Sequence, residues 1–94
     1  MRKIFRSTQF SRAYRKFIRR YPFLQTKIDI TIREMEKDVF SQHLETHKLS
    51  GNLYGLHACS CGYDCRIVFS IQKDTRTQEE VIVLVDIGTH EEVY

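Results

Sequence analysis

Proline and glycine are scarce, one and four respectively in 94 residues, which excludes a collagen-like, low-complexity or disordered chain. Long apolar runs are missing too. The longest aliphatic stretch is Val81–Val85, far short of the roughly 20 residues needed to cross a bilayer. The basic N-terminus leads into no apolar segment of the kind a secretory signal carries. Cysteine is sparse and odd in number, three in all, crowded between Cys59 and Cys65. A secreted disulfide framework usually has an even set spread along the chain, so a reducing cytoplasm is the expected setting.

What is present describes a globular domain. The sequence is 41% hydrophobic, 12% aromatic and 29% charged. A chain of this length buries about 60–65% of its unfolded surface, enough for one core, so residues 1–94 are expected to form a single domain. The net charge of +3 hides an asymmetry. Residues 1–40 hold eleven Lys or Arg against four Asp or Glu, a balance of +7; residues 41–94 hold four against eight, or −4. A basic half points to an anionic partner, either nucleic acid or an acidic protein; the plainer alternative is a solvated helix face.

Periodicity divides the chain at about the same place. Ile4 and Phe5 suit a short first strand, and Ser7 or Thr8 offers a hydroxyl to cap a helix. Phe10, Tyr14, Phe17, Ile18 and Tyr21 then make one apolar stripe, with Arg12, Arg15, Lys16, Arg19 and Arg20 largely opposite it. Pro22 ends that helix. Leu24, Ile28, Ile32, Met35 and Val39 form the stripe of a second. Gly51-Asn52 marks a turn, Leu53–Ser60 reads as a strand, Gly62-Tyr63-Asp64 as a second turn, and Cys65–Ile71 as another strand. Lys73–Glu80 is a polar loop before Val81–Asp86, a strand apolar enough to be buried on both faces. The prediction is an α+β domain in the order β-α-α-β-β-β, two helices packed on one face of a small, mostly antiparallel sheet.

Polar groups collect at the ends of those strands. His47 precedes the Gly51 turn, Asp64 lies in the central hairpin with Arg66 two residues on, and His90 follows the last strand. Histidine is poised for proton transfer near neutral pH and arginine suits a phosphate oxygen. Two His, one Asp and one Arg suffice to cleave a phosphodiester without metal. Each residue also has a plain reading as a cap, turn residue or surface ion. His57, Cys59 and Cys61 share one face of a strand, and His43 and His47 are spaced i, i+4. Strand neighbours on one face stand about 6.5–7 Å apart, awkward for one tetrahedral ion. The cysteines are read instead as small residues packing in and around a hairpin, with no metal or other cofactor.

The segment His47-Lys48-Leu49-Ser50-Gly51-Asn52-Leu53-Tyr54-Gly55 resembles the H-x-L-x-G-N-x-x-G stretch of RelE/ParE-superfamily toxins, especially their YafQ-like branch. The ending Gly88-Thr89-His90-Glu91-Glu92-Val93-Tyr94 is similar to their G-[ST]-H-x-x-[LV]-[FY] terminus, and Arg66-Ile67-Val68-Phe69 to their central strand. The resemblance covers residues 47–94. It implies a toxin of a type II toxin–antitoxin pair that cleaves mRNA in the ribosomal A site, by attack of a ribose 2′-hydroxyl on the adjacent phosphate. His47, Asp64 and His90 fall on YafQ-like active-site positions, His90 as general acid, with Asp64 or His47 as base or its orienter. Arg66 matches an arginine on the scissile phosphate, and Tyr94 stands where an aromatic would stack on a base. Arg12, Arg15, Lys16, Arg19 and Arg20 would grip ribosomal RNA, and a cognate antitoxin would form an inhibitory complex. Two positions depart from the pattern: Ser60 replaces a further His and Cys65 an aromatic. The alternatives are a ParE-like toxin that inhibits DNA gyrase without cutting, or a small basic binding module.

Overall fold

Ser7 stops the first strand and starts the first helix. Its extended backbone leaves the side chain free to accept the Phe10 N–H at 3.0 Å, satisfying one of the first-turn donors that an α-helix cannot bond internally. In the computed structural model, which describes residues 1–94, the elements are β1 (Lys3–Arg6), α1 (Thr8–Arg20), α2 (Gln25–Asp38), β2 (His47–Lys48), β3 (His57–Gly62), β4 (Cys65–Lys73), β5 (Glu80–Gly88) and α3 (His90–Val93). Short 3-10 turns lie at Pro22–Leu24, Gln42–Leu44 and Gly51–Leu53. No helix is long and apolar enough to cross a membrane.

Pro22 ends α1 as expected but also opens the 3-10 turn that runs directly into α2. A residue without an N–H loses nothing in a first helical turn. Both apolar stripes face the core as predicted, with Phe10, Phe17, Ile28, Ile32, Met35 and Val39 buried in it and Tyr14, Ile18, Tyr21 and Leu24 half-buried against it. Thr31 joins them, its hydroxyl bonded to the Lys27 carbonyl at 2.8 Å. The Tyr14 hydroxyl donates to Asp29 at 2.8 Å, tying α1 to α2.

The sheet runs β1-β5-β4-β3-β2, with β1 parallel to β5 and every other pair antiparallel. This is the predicted α+β arrangement of two helices on a mostly antiparallel sheet, with two additions. His47–Lys48 forms a two-residue edge strand, and His90–Val93 forms a short helix after the last strand. The second predicted strand, observed as β3, begins late, at His57 rather than Leu53. Gly51 and Gly55 have φ of 63° and 94°, values that turn the chain out of the extended region. The loop they shape closes through the Leu49 N–H on the Leu56 carbonyl at 2.9 Å.

The helices cover one sheet face, where Cys59, Ile67, Phe69, Ile82 and Leu84 pack against α1 and α2. A smaller cluster of Ala58, Val68 and Val93 fills the opposite face with Leu49, Leu56 and Val85 around it. Register explains how β5 serves both. Val68 pairs with Asp86 but Phe69 with Leu84, so Val85 is an extra residue. Such a bulge shifts the alternation by one; beyond it Ile87 is buried and Asp86 only partly so. The expected burial of Val81–Asp86 on both faces is met only at Val81, Ile82 and Leu84; Val83, Val85 and Asp86 are half-buried, and the burial that remains is the main cause holding the Asp86 carboxyl above its usual range.

The cysteines do pack around the central hairpin, but not as three thiols. Cys61 and Cys65 are disulfide-bonded across the turn, their Cα atoms 5.0 Å apart, a bond that the odd cysteine count did not lead one to expect and that a reducing cytoplasm disfavours. Cys59 is free and buried against the Met35 sulfur, and burial pushes its thiol up to about 12. His43 lies beyond the end of α2, paired with Glu34 and Ser41, so the i, i+4 pairing with His47 does not form. No group of three or more His, Cys, Asp or Glu side chains is arranged to hold a metal ion.

Candidate active site

The Thr89 hydroxyl decides where His90 stands. It accepts the Glu92 N–H at 3.3 Å while the Glu92 carboxylate accepts the Thr89 N–H at 2.9 Å, a reciprocal capping box. The carboxylate of Glu92 is held below its ordinary range, chiefly by that backbone bond. His90 is therefore the first residue of α3, with an exposed side chain. Its backbone N–H donates to Asp64 Oδ1 at 3.0 Å. Asp64 thus touches His90 through the main chain and pins the start of α3 to the β3–β4 turn.

Tyr94 joins the two histidines. Its ring lies edge-on to His90, centroids 4.6 Å apart, and tilted against His47 at 6.2 Å. Its hydroxyl is 3.4 Å from His47 Nε2. Burial raises the Tyr94 phenol, which keeps it protonated and able to donate. His47 is held from its other side, Nδ1 being 3.0 Å from the Glu45 carbonyl. An acceptor there requires Nδ1–H, so in the neutral ring the lone pair sits on Nε2, facing Tyr94.

Arg66 completes the cluster. Its Nη1 donates to the carbonyls of Cys65, Gly62 and Tyr63 at 3.0, 3.3 and 3.4 Å, which fixes the guanidinium against the turn with other N–H groups uncommitted. A cavity of about 200 Å³ opens beside it, lined by Glu45, His47, Ser60 and Arg66. The Ser60 hydroxyl is turned to the Gly62 carbonyl at 3.1 Å. The lining holds one permanent cation, one imidazole, one hydroxyl and one carboxylate. That set can bind an oxyanion and exchange a proton.

The structure thus brings His47, Asp64, Arg66, His90 and Tyr94 to one end of the sheet. Arg12, Arg15, Lys16 and Arg19 are exposed along α1 as expected. Arg20 is exposed but engaged, bonded to Glu92 and to the Tyr21 hydroxyl, each at 3.0 Å; it links α1 to α3. Glu45 is the residue the sequence reading misses. It sits at φ 54°, an unusual value for a non-glycine residue, and only its place two residues before His47 hints at a role.

A family model described as "Bacterial toxin of type II toxin-antitoxin system, YafQ" matches residues 2–94. The chain belongs to the YafQ toxin family. Among solved structures, YafQ from E. coli strain BL21(DE3) is similar at a TM-score of 0.79 and 14% identity, covering 100% of this chain and 99% of that one. A YoeB/ParE toxin from Agrobacterium tumefaciens is similar at 0.72 and 17% identity, covering 94% and 98%. The E. coli DinJ–YafQ toxin–antitoxin complex is similar at 0.76 and 15% identity, covering 99% and 97%. At such identities these likenesses establish the fold. No curated protein matches by sequence. Cys65, read from the sequence as a departure from the resembling motif, is committed to the disulfide with Cys61.

Proposed function

We propose that this YafQ-family toxin is a ribosome-dependent mRNA endonuclease, held inactive by a cognate antitoxin. The supporting observation is the joining of His47 and His90 through Tyr94, next to a polar cavity that Arg66 lines. In the proposed reaction His47 Nε2 takes the proton of the ribose 2′-hydroxyl. The 2′-oxygen bonds to phosphorus, the bond to the 5′-oxygen breaks, and His90 protonates the departing oxygen. Products are a 2′,3′-cyclic phosphate and a 5′-hydroxyl. Arg66 neutralises the charge that builds on the phosphoryl oxygens. Asp64 acts by holding the backbone of His90, and Tyr94 by orienting both rings and offering a face to a base. The scheme draws on no metal.

The partners follow from charge. Arg12, Arg15, Lys16 and Arg19 offer an exposed cationic row on α1 suited to ribosomal RNA. An acidic antitoxin, partly disordered until bound, would cover that row or the strand-end cluster. Such an activity belongs in the cytoplasm with the ribosomes. Induced expression followed by mapping of mRNA 5′ ends and a plasmid supercoiling assay tests the reading. Expected are cuts in translated frames bearing 5′-hydroxyl and cyclic-phosphate ends, insensitive to chelators, with supercoiling unchanged. Intact messages with altered supercoiling would assign the protein to gyrase inhibition instead.

A further inference from the structure

A second cavity opens on the far side of the β3–β4 turn, and nothing in the proposed cleavage chemistry uses it. It measures about 220 Å³ and shares only Asp64 with the cluster described above. Buried Phe17 and half-buried Tyr21 form its inner lining, while Phe23 and Tyr63 border it at 78% and 99% exposure. Thr89 and Asp64 supply its polar side. The aromatic rings are continuous: Phe17 and Tyr21 centroids are 5.0 Å apart, and Tyr21 and Phe23 meet edge-on at 6.4 Å. Exposed aromatics gathered around an apolar hollow mark an interaction site rather than a scatter of surface residues.

We propose that this hollow receives one unpaired RNA base, from a nucleotide flanking the phosphate that is cut. The proposal rests on the endonuclease reading. Three features choose a base over a peptide. First, the cavity, at about 220 Å³, is smaller than the roughly 300–1,000 Å³ of ordinary ligand pockets, so what enters it is one planar ring or its like. Second, its outermost groups are aromatic faces, which stack any nucleobase. Third, its polar side is the Asp64 carboxylate. One oxygen of that group holds the His90 N–H and the other can accept an N–H from a base edge. The continuity matters too, because the turn that carries Asp64 and Tyr63 separates this hollow from the Arg66 cavity. A strand passing over it can place a phosphate on one side and the neighbouring base on the other.

Two measurements test this, and the first needs no cleavage. A 2′-O-methyl trinucleotide, which cannot be cut, is titrated into the protein while ring signals of Phe23 and Tyr63 are followed by NMR. Both should move upfield, as stacked rings do, and an abasic residue at one defined position should abolish the shift. Rings that stay still while His47 responds would overturn the proposal without touching the nuclease reading. In the second, Phe23→Ala and Tyr63→Ala are assayed on programmed ribosomes. Each should lose roughly 5- to 150-fold in kcat/KM, the worth of one base on an aromatic face. The same abasic substitution should then cost the variants nothing further. Equal abasic losses in wild type and variants, or variants that cut normally and lose only antitoxin affinity, would overturn it. If the wild type does not cut at all, the nuclease reading fails and the titration alone decides the base site.

Discussion

Phe10 and His90 each sit just inside a helix whose cap is a hydroxyl, Ser7 for one and Thr89 for the other. There the likeness ends. Phe10 is fully buried in a core built by α1, α2 and the sheet. His90 is exposed, on a four-residue helix held by a capping box, by Asp64 and by the Arg20–Glu92 pair. The same local device thus serves two ends: in the helical half it starts an element that packing then stabilises, and at the strand ends it fixes a side chain that packing leaves free. Substitutions in the two regions should therefore separate stability from activity.

The largest effects come from the two residues just compared. His90→Gln keeps the backbone bond to Asp64 and offers a hydrogen-bonding side chain, but cannot give up a catalytic proton at neutral pH. Cleavage should fall about 10²–10⁴-fold, the contribution of a positioned acid, while the urea midpoint changes by less than about 0.5 kcal/mol equivalent, as for exposed positions generally. A folded variant cutting at the wild-type rate would remove His90 from the mechanism. Phe10→Ala should do the reverse. Truncating a buried phenylalanine costs about 3–5 kcal/mol through lost transfer energy and the cavity left behind. That is a large share of the stability of a chain this size. Denaturant unfolding should show the loss, with whatever fraction remains folded cutting normally.

Legibility in the sequence follows the same division. The helices are readable because a stripe such as Ile28, Ile32, Met35 and Val39 repeats a buried contact every turn. The strands β4 and β5 are readable from their β-branched runs. What periodicity could not supply was any feature set by one residue's φ or by a contact across the chain. Gly51 and Gly55 delay β3 by turning the backbone, yet a glycine in sequence does not announce its φ. The bulge at Val85 exists only in the pairing with β4. The site residues lie beyond the reach of pattern for a further reason: being exposed, they carry no hydrophobic signal. His47, Asp64, Arg66 and His90 stand out only as polar residues at predicted strand ends, the resemblance gives them roles and adds Tyr94, and Glu45, outside the resembling motifs, carries no signal of either kind. The Arg20–Glu92 link joins residues 72 apart, which local reasoning does not connect.

A smaller effect tests a histidine that belongs to the fold rather than the site. His57 stacks on Phe69 at 5.5 Å and meets Phe40 edge-on at 6.3 Å. Its Nδ1 is buried without a hydrogen-bond partner. Burial first, then the charges of Lys48 and His47, lower its pKa from the ordinary 6.5. The folded protein thus takes up a proton at His57 less readily than the unfolded chain does. Stability from this group is complete above about pH 6.5 and is lost as pH falls below that value toward the lowered one. His57→Phe keeps a stacking ring and removes the proton site. Between pH 7 and 5 its urea midpoint should decline less than that of the wild type; parallel declines would show that other groups dominate.

The smallest effect sharpens the comparison within α1 itself. Arg19 and Arg20 are adjacent, both exposed, and both counted in the basic face. Only Arg20 is engaged, with Glu92 and the Tyr21 hydroxyl each at 3.0 Å and the Tyr21 ring 5.1 Å below its guanidinium. An exposed ion pair of this kind contributes about 0–1 kcal/mol, so Arg20→Gln should barely alter stability. It should, however, free one of the contacts that hold α3, and α3 carries His90. Arg19→Gln removes a phosphate-binding charge, and the salt dependence of ribosome binding should become shallower by about 0.7–0.9 in log–log slope, the counterion release of one phosphate contact. Arg20→Gln should change that slope less, because in the free toxin its charge is already neutralised by Glu92, and should lower kcat by a few-fold instead. Equal slope changes for the two variants, with kcat untouched in both, would return Arg20 to the RNA-binding row and leave the capping box and Asp64 as the anchors of α3.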